Sequence, residues 1–186
     1  MLVADAQREV RLTYMGGFPG GMVSGAIWLA SAALGQSGSI ESAIWVLVVG
    51  GAFIFPISQL LLRVMGRPTS LRPENPFAAL AMQIAFTIPL SLPLIGAAAV
   101  HRIEWFYPAF LIVVGAHYLP FVFLYGMWTK AVLAAIMIGG GTWIGVTGVG
   151  GFSYGGWFGG AVLIAYGILG LILSAREQRR QAPAGA

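Results

Sequence analysis

The sequence predicts an all-α protein, a polytopic transmembrane helical bundle of six transmembrane helices with both termini cytoplasmic, and three observations carry that prediction. The first is composition: 58% of the 186 residues are hydrophobic, 9% are charged and the mean hydropathy is +0.85, whereas soluble domains carry about 25% charged residues. The second is the spacing of charge. Residues 12–40, 42–62, 76–100, 105–129 and 131–175 contain no Asp, Glu, Lys or Arg. About 20 apolar residues cross roughly 30 Å of hydrocarbon, so each interval crosses once and the last has room for two crossings. The third is the placement of the cations. Six spans put Arg8, Arg11, Arg63, Arg67, Arg72, Lys130, Arg176, Arg179 and Arg180 on one side and only Arg102 on the other, which by the positive-inside rule is the cytoplasmic side. The whole chain, 1–186, reads as a single transmembrane domain.

Taken in order, residues 1–13 are polar, and Asp5 is placed to cap a short surface helix through Arg11. Span one, about 14–34, carries Gly17, Gly21 and Gly25 at four-residue spacing, a small-residue face for close helix packing. Ser39 and Glu41 mark the start of span two, about 42–62, and Pro56 predicts a kink near its end. Asn75 followed by Pro76 then reads as a cap with proline at the first helical position of span three, about 76–100. In that span Gln83, Thr87 and Ser91 form a polar stripe on one face, and Pro89 and Pro93 leave the carbonyls of Ala85 and Pro89 without their usual donors.

Span four, about 105–125, is entered through Trp105, Phe106 and Tyr107 and left through Tyr125 and Trp128, aromatic belts at the two interfaces. Span five, about 131–149, follows after a few residues and must run antiparallel to it. From 139 to 160, 11 of 22 residues are glycine. Span six, about 155–174, includes Gly156 and Gly160, and a basic, flexible tail occupies 175–186. The glycine-rich stretch 16–35 resembles 150–170. Convergent packing faces explain that likeness better than a repeat, because an inverted three-plus-three repeat would pair span one with span four.

Several function classes are excluded or disfavoured. With no cysteine in the chain, disulfides, thiolate metal sites and cysteine nucleophiles are ruled out. No soluble basic region offers a surface to nucleic acid, and no removable signal peptide is expected at the N-terminus. A metal or haem is not expected. His101 lies sixteen residues from His117, roughly 24 Å along a helix at 1.5 Å per residue, and no carboxylate is placed to assist. No catalytic residue, acid–base pair or nucleophile–base pair is visible at membrane depth.

What stands out is His117, about twelve residues into span four and so near the midplane. Pro120 frees the carbonyl of Ala116 beside it, and Tyr118 adds a hydroxyl. An ionisable residue at that depth is a candidate site by default. Packing glue between helices is the competing reading of the same imidazole. The candidate ligand-binding set is therefore His117, Tyr118, Gln83, Thr87 and Ser91, with Gly17, Gly21, Gly25, Gly156 and Gly160 as helix-packing positions.

Asn75-Pro76 after the basic loop, together with Gly115-Ala116-His117 through Pro120 and Tyr125 in span four, resembles a family of small bacterial integral membrane proteins of unknown function, over most of the chain. The resemblance implies a bacterial cytoplasmic (inner) membrane and supplies no activity.

The leading expectation is a non-enzymatic membrane protein, without cofactor, that binds or passes a small solute through an intramembrane cavity near His117. Its rival is a structural or assembly subunit whose glycine faces dock other membrane proteins or a second copy; an intramembrane enzyme ranks third. The lipid bilayer is the expected surrounding in every case. A fusion reporter placed after Gly38 is expected to report the non-cytoplasmic side, and a cytoplasmic signal there overturns the topology.

Overall fold

The computed structural model describes residues 1–181, with side chains through Ser174. Among the described residues its regular structure is all helical: α1 (Val3–Thr13), α2 (Phe18–Gln36), α3 (Ile40–Val64), α4 (Phe77–His101), α5 (Phe106–Tyr125), α6 (Thr129–Thr147) and α7 (Tyr154–Gln181), with short 3-10 turns at Met15–Gly17 and Ile103–Trp105. Six stretches are long and apolar enough to cross a membrane: Met15–Gln36, Ile40–Val64, Phe77–His101, Ile103–Tyr125, Thr129–Thr147 and Tyr154–Ser174. They coincide with the six predicted spans to within about two residues at each end. As a helix, α7 continues to Gln181, and the last part of the expected tail, 182–186, lies outside the described residues.

Two helices form the inside of the bundle. The first, α2, packs against α3 on one side and α7 on the other; the second, α5, packs against α4 and α6; and α7 touches both α5 and α6. Only 6% of the apolar stretch of α3 and 11% of that of α4 is buried in the protein, against 33% to 44% in the other four spans. Both are therefore outer helices, each resting on one inner helix and facing lipid elsewhere.

Lipid tails are as apolar as leucine, so close packing rather than hydrophobicity must hold these helices together. Glycine makes that approach possible between α2 and α7. A Cβ on Gly25 would stand 3.0 Å from the Gly160 carbonyl, and one on Gly160 would stand 3.1 Å from the Gly25 carbonyl. Gly156, one turn away, accommodates the Tyr107 ring and Ala32, while Gly21 lies 3.8 Å by the same measure from the Leu163 carbonyl. On the other side of the bundle Gly115 in α5 meets the α6 backbone at Ala134 and Ile138.

Buried polar bonds fix which elements meet. Ser31 donates to the Ala43 carbonyl at 2.6 Å, so the Tyr107 hydroxyl, also at 2.6 Å, donates to Ser31. That chain ties α2, α3 and α5 together in a region where water is scarce. Asn75 does more than start α4. Its Oδ1 accepts from the Phe77 amide at 3.0 Å, as the sequence leads one to expect of a cap, and its amide donates to the Ala6 carbonyl at 3.3 Å and to Glu9 at 3.1 Å. Pro76 flanks the first helical residue, Phe77, rather than occupying its place. At α3 the Ser39 hydroxyl donates to Ser42 instead of capping the helix.

Gly25→Val is expected to force the α2 and α7 backbones apart and to destabilise the protein in detergent by about 1–3 kcal/mol, the usual range for overpacking. Gly139→Ala, where an added Cβ meets nothing within 4 Å, is expected to leave the melting temperature unchanged or slightly raised.

Candidate functional site

The candidate set of the sequence does not converge on one place. His117 reaches outward from α5 to α4, and its Nδ1 lies 2.7 Å from the Thr87 hydroxyl oxygen. That hydroxyl has a single proton and also sits 2.7 Å from the Ile84 carbonyl, which can only accept. With the proton directed at Ile84, the imidazole donates from Nδ1 to Thr87, a short relay that closes on backbone. Ser91 bonds back to the Thr87 carbonyl at 2.7 Å and Gln83 is exposed, so of the predicted stripe only Thr87 touches the imidazole. The Phe121 ring packs edge-on against His117 with centroids 4.9 Å apart. His117 thus stitches an outer helix to an inner one.

An open depression of about 640 Å³ lies beside α1, lined by Met1, Asp5, Arg8, Glu9, Thr13 and Arg72, and a pocket of about 30 Å³ lies beside Arg102 and Trp105. Neither is lined by His117 or by Lys130.

Tyr118, the neighbour of His117, points to a different place, and there the structure assembles what the sequence left scattered. Lys130, the chain's one lysine, stands in the first turn of α6 and is only 1% exposed. Its ammonium nitrogen faces four aromatic rings, with centroid distances of 4.8 Å to Tyr125, 5.0 Å to Tyr166, 5.1 Å to Phe18 and 5.7 Å to Tyr118. These rings come from α5, α7 and α2. The single salt bridge among the described residues joins Arg72 to Glu9, so no carboxylate pairs with Lys130.

Local sequence explains this chamber, a ring-walled space that the Lys130 side chain itself fills. Tyr118 and Tyr125 are seven residues apart and so lie on one face of α5. Gly126 closes α5 in the left-handed conformation, with φ of 61°, which turns the chain sharply and brings Lys130 back beneath those tyrosines. Phe18 and Tyr166 pack at 5.3 Å, and Gly170 provides the space for Phe18: a Cβ there would fall 1.8 Å from its ring. The floor is Gly17, with φ of 75°. A side chain at Gly17 would meet the Tyr125 hydroxyl at 3.0 Å and the Lys130 nitrogen at 3.3 Å.

Helix α1 covers this end of the bundle. Gln7 donates to the Phe123 carbonyl, which also accepts the Gly126 amide, and Arg11 donates to the Tyr125 carbonyl, each side-chain bond at 2.6 Å, so α1 supplies donors at the end of α5. Glu9 then latches α1 to the α3–α4 connection through the Arg72 amide at 2.7 Å, the Arg72 guanidinium at 3.1 Å and Asn75 at 3.1 Å. The Arg72 amide is the main influence holding the Glu9 carboxyl below its ordinary value, against the opposing effect of burial.

Sequence reasoning counted Lys130 only as one more positive charge on its side of the membrane. The legible signal was that a solitary lysine lies within the first turn of an apolar helix, five and twelve residues after two tyrosines that share a face.

Fold and composition together define a multi-pass, all-helical membrane protein. More particularly, residues 3–176 match a family of unknown function, DUF7010, and the chain belongs to it. No curated protein and no solved structure matches the chain.

If the imidazole is a stitch, His117→Phe and Thr87→Val should each cost roughly 0.5–2 kcal/mol, the range for hydrogen bonds between helices in membranes. The double variant should cost no more than either alone, because both remove the same bond. Additive losses in detergent unfolding would show that His117 has another partner.

Proposed function

We propose that this protein is a non-enzymatic, solute-handling protein of the bacterial cytoplasmic membrane, and that the solute binds in the chamber around Lys130 with α1 as its cover. One observation carries the reading: a buried ammonium held by ring faces and, among the described residues, by no carboxylate. Removing an ammonium from water costs several kcal/mol even after the protein relaxes. Four cation–π contacts at about 0.5–2 kcal/mol each offset much of that cost, yet a leucine or methionine would fill the same space with no cost to offset. Ionisable residues retained inside a membrane protein mark solute and ion sites by default. Both termini and the chamber would then face the cytoplasm, the side the arginines favour.

The solute reading therefore moves from His117 to Lys130. Tyr118 stays in the site, and Gly17 joins it as the floor. His117 and Thr87 become the fastening of α4. A second reading, a subunit that docks other membrane proteins, draws on α3, which touches one inner helix and leaves Trp45, Phe53 and Phe55 uncovered. The glycine faces that suggested docking are already occupied within the chain, Gly25 by Gly160 and Gly156 by Tyr107.

Lys130→Met tests whether the lysine is there for stability. The expected outcome is a variant that melts a few degrees higher than the natural protein in detergent, since an apolar side chain of similar length fills the cage without desolvating a charge. A clear loss of folded protein would make Lys130 a packing residue and end the solute reading at this site.

A further inference from the structure

We infer that the group recognised in this chamber is an oxyanion, the carboxylate or phosphate of a small solute, held between the Lys130 ammonium and the Tyr125 hydroxyl above Gly17. The inference rests on the solute reading of the Lys130 chamber and supplies its chemistry. Two side chains converge on one point. α2 itself offers little there, because the Gly17 and Phe18 amides donate to the Tyr14 and Met15 carbonyls and Pro19 has no N–H. The Lys130 nitrogen and the Tyr125 hydroxyl both stand over that same glycine, 3.3 and 3.0 Å from where its Cβ would be. Lys130 is 1% exposed and has no carboxylate partner among the described residues.

The four ring faces accept the charge of the lysine but give its N–H groups no oxygen acceptor. An oxyanion supplies one, accepting from the ammonium and the phenol. The surroundings agree: Arg11 lies at the same end, donating to the Tyr125 carbonyl, while Glu9 is engaged with Arg72 and Asn75. A cation arriving at the cage would have to displace the lysine from all four rings. An anion can bind with the lysine in place.

The full chain, purified in detergent, would be melted in sodium acetate, sodium phosphate or tetramethylammonium chloride, with ionic strength held constant by sodium chloride. The expected result is a midpoint that rises with acetate or phosphate and does not respond to tetramethylammonium. Lys130→Arg should keep the response, Lys130→Gln should lose it, and Tyr125→Phe, which keeps the ring and drops the hydroxyl, should need about tenfold more anion. Should Lys130→Gln fail to fold, the Tyr125→Phe comparison alone carries the test. An equal response in Lys130→Gln, or none in the natural protein, overturns the oxyanion. Stabilisation by tetramethylammonium instead overturns it while leaving the solute reading intact; silence toward every probe, together with a destabilised Lys130→Met, removes both. A response only when micelles contain phosphatidylglycerol supports the same chemistry, with a lipid headgroup as its source.

Discussion

The structure depends on backbone-to-backbone contact between α2 and α7. In lipid, two helices gain nothing from hiding apolar surface, so what holds them is the number of atoms in contact and the few polar bonds they can share. Gly25 and Gly160 face each other's carbonyls at a separation that any side chain would prevent. Because these axes lie so close, Phe18 can enter the space beside Gly170, and Tyr166 comes within 5.3 Å of Phe18. Two of the four rings around Lys130 therefore exist as a consequence of glycines elsewhere along the seam. The Ser31–Tyr107–Ala43 chain adds direction, since it brings α3 and α5 to the same stretch of α2.

The fold was readable because membrane solvation leaves few solutions. Uncharged stretches of about 20 residues must be helices, and glycine at four-residue spacing announces a close contact. The likeness between 16–35 and 150–170 acquires a physical meaning, since these stretches are the partners that pack on each other as α2 and α7. Identical demands on two facing surfaces produce similar sequences without a repeat. Pairing itself was less legible. Nothing in α3 or α4 says that each rests on a single inner helix, because lipid-facing and protein-facing apolar residues look alike.

The site was legible only in part, and the reason is one of depth against company. His117 drew attention because it lies near the midplane, where a polar group is expensive. Its expense is met by one bond to Thr87 that closes on Ile84. Lys130 lies nearer the end of its helix, where a lysine ordinarily runs its stem along apolar surface and keeps its head in water. It does the opposite here because Gly126 reverses the chain and Tyr118, Tyr125, Tyr166 and Phe18 arrive from three helices. That arrangement is tertiary, and residue spacing along one helix reveals at most the two tyrosines of α5. Gly17 teaches the same lesson. Grouped with Gly21 and Gly25 by spacing, it serves as the floor beneath a charge and a hydroxyl.

How the chamber opens follows from what fastens its cover. Arg11 and Gln7 bond to carbonyls at the end of α5, and the Phe123 carbonyl keeps the Gly126 amide as a second donor, so water can replace either side chain where it reaches those acceptors. The latch at Glu9 is different in kind. Because the Arg72 amide lowers the Glu9 carboxyl from its ordinary 4.5, the carboxylate form persists above that value, and its hold on α1 is lost only as pH falls through the lowered one. Near neutral pH the latch is therefore closed, and proton concentration does not control it. What remains able to compete is charge. On the proposed reading, an oxyanion approaching Lys130 would also attract Arg11, the residue that bonds α1 to Tyr125, so arrival of the ligand and release of the cover would draw on the same guanidinium. Beside the close glycine seam of α2 and α7, this set of side-chain bonds at the end of the bundle is the part of the fold most open to exchange with water.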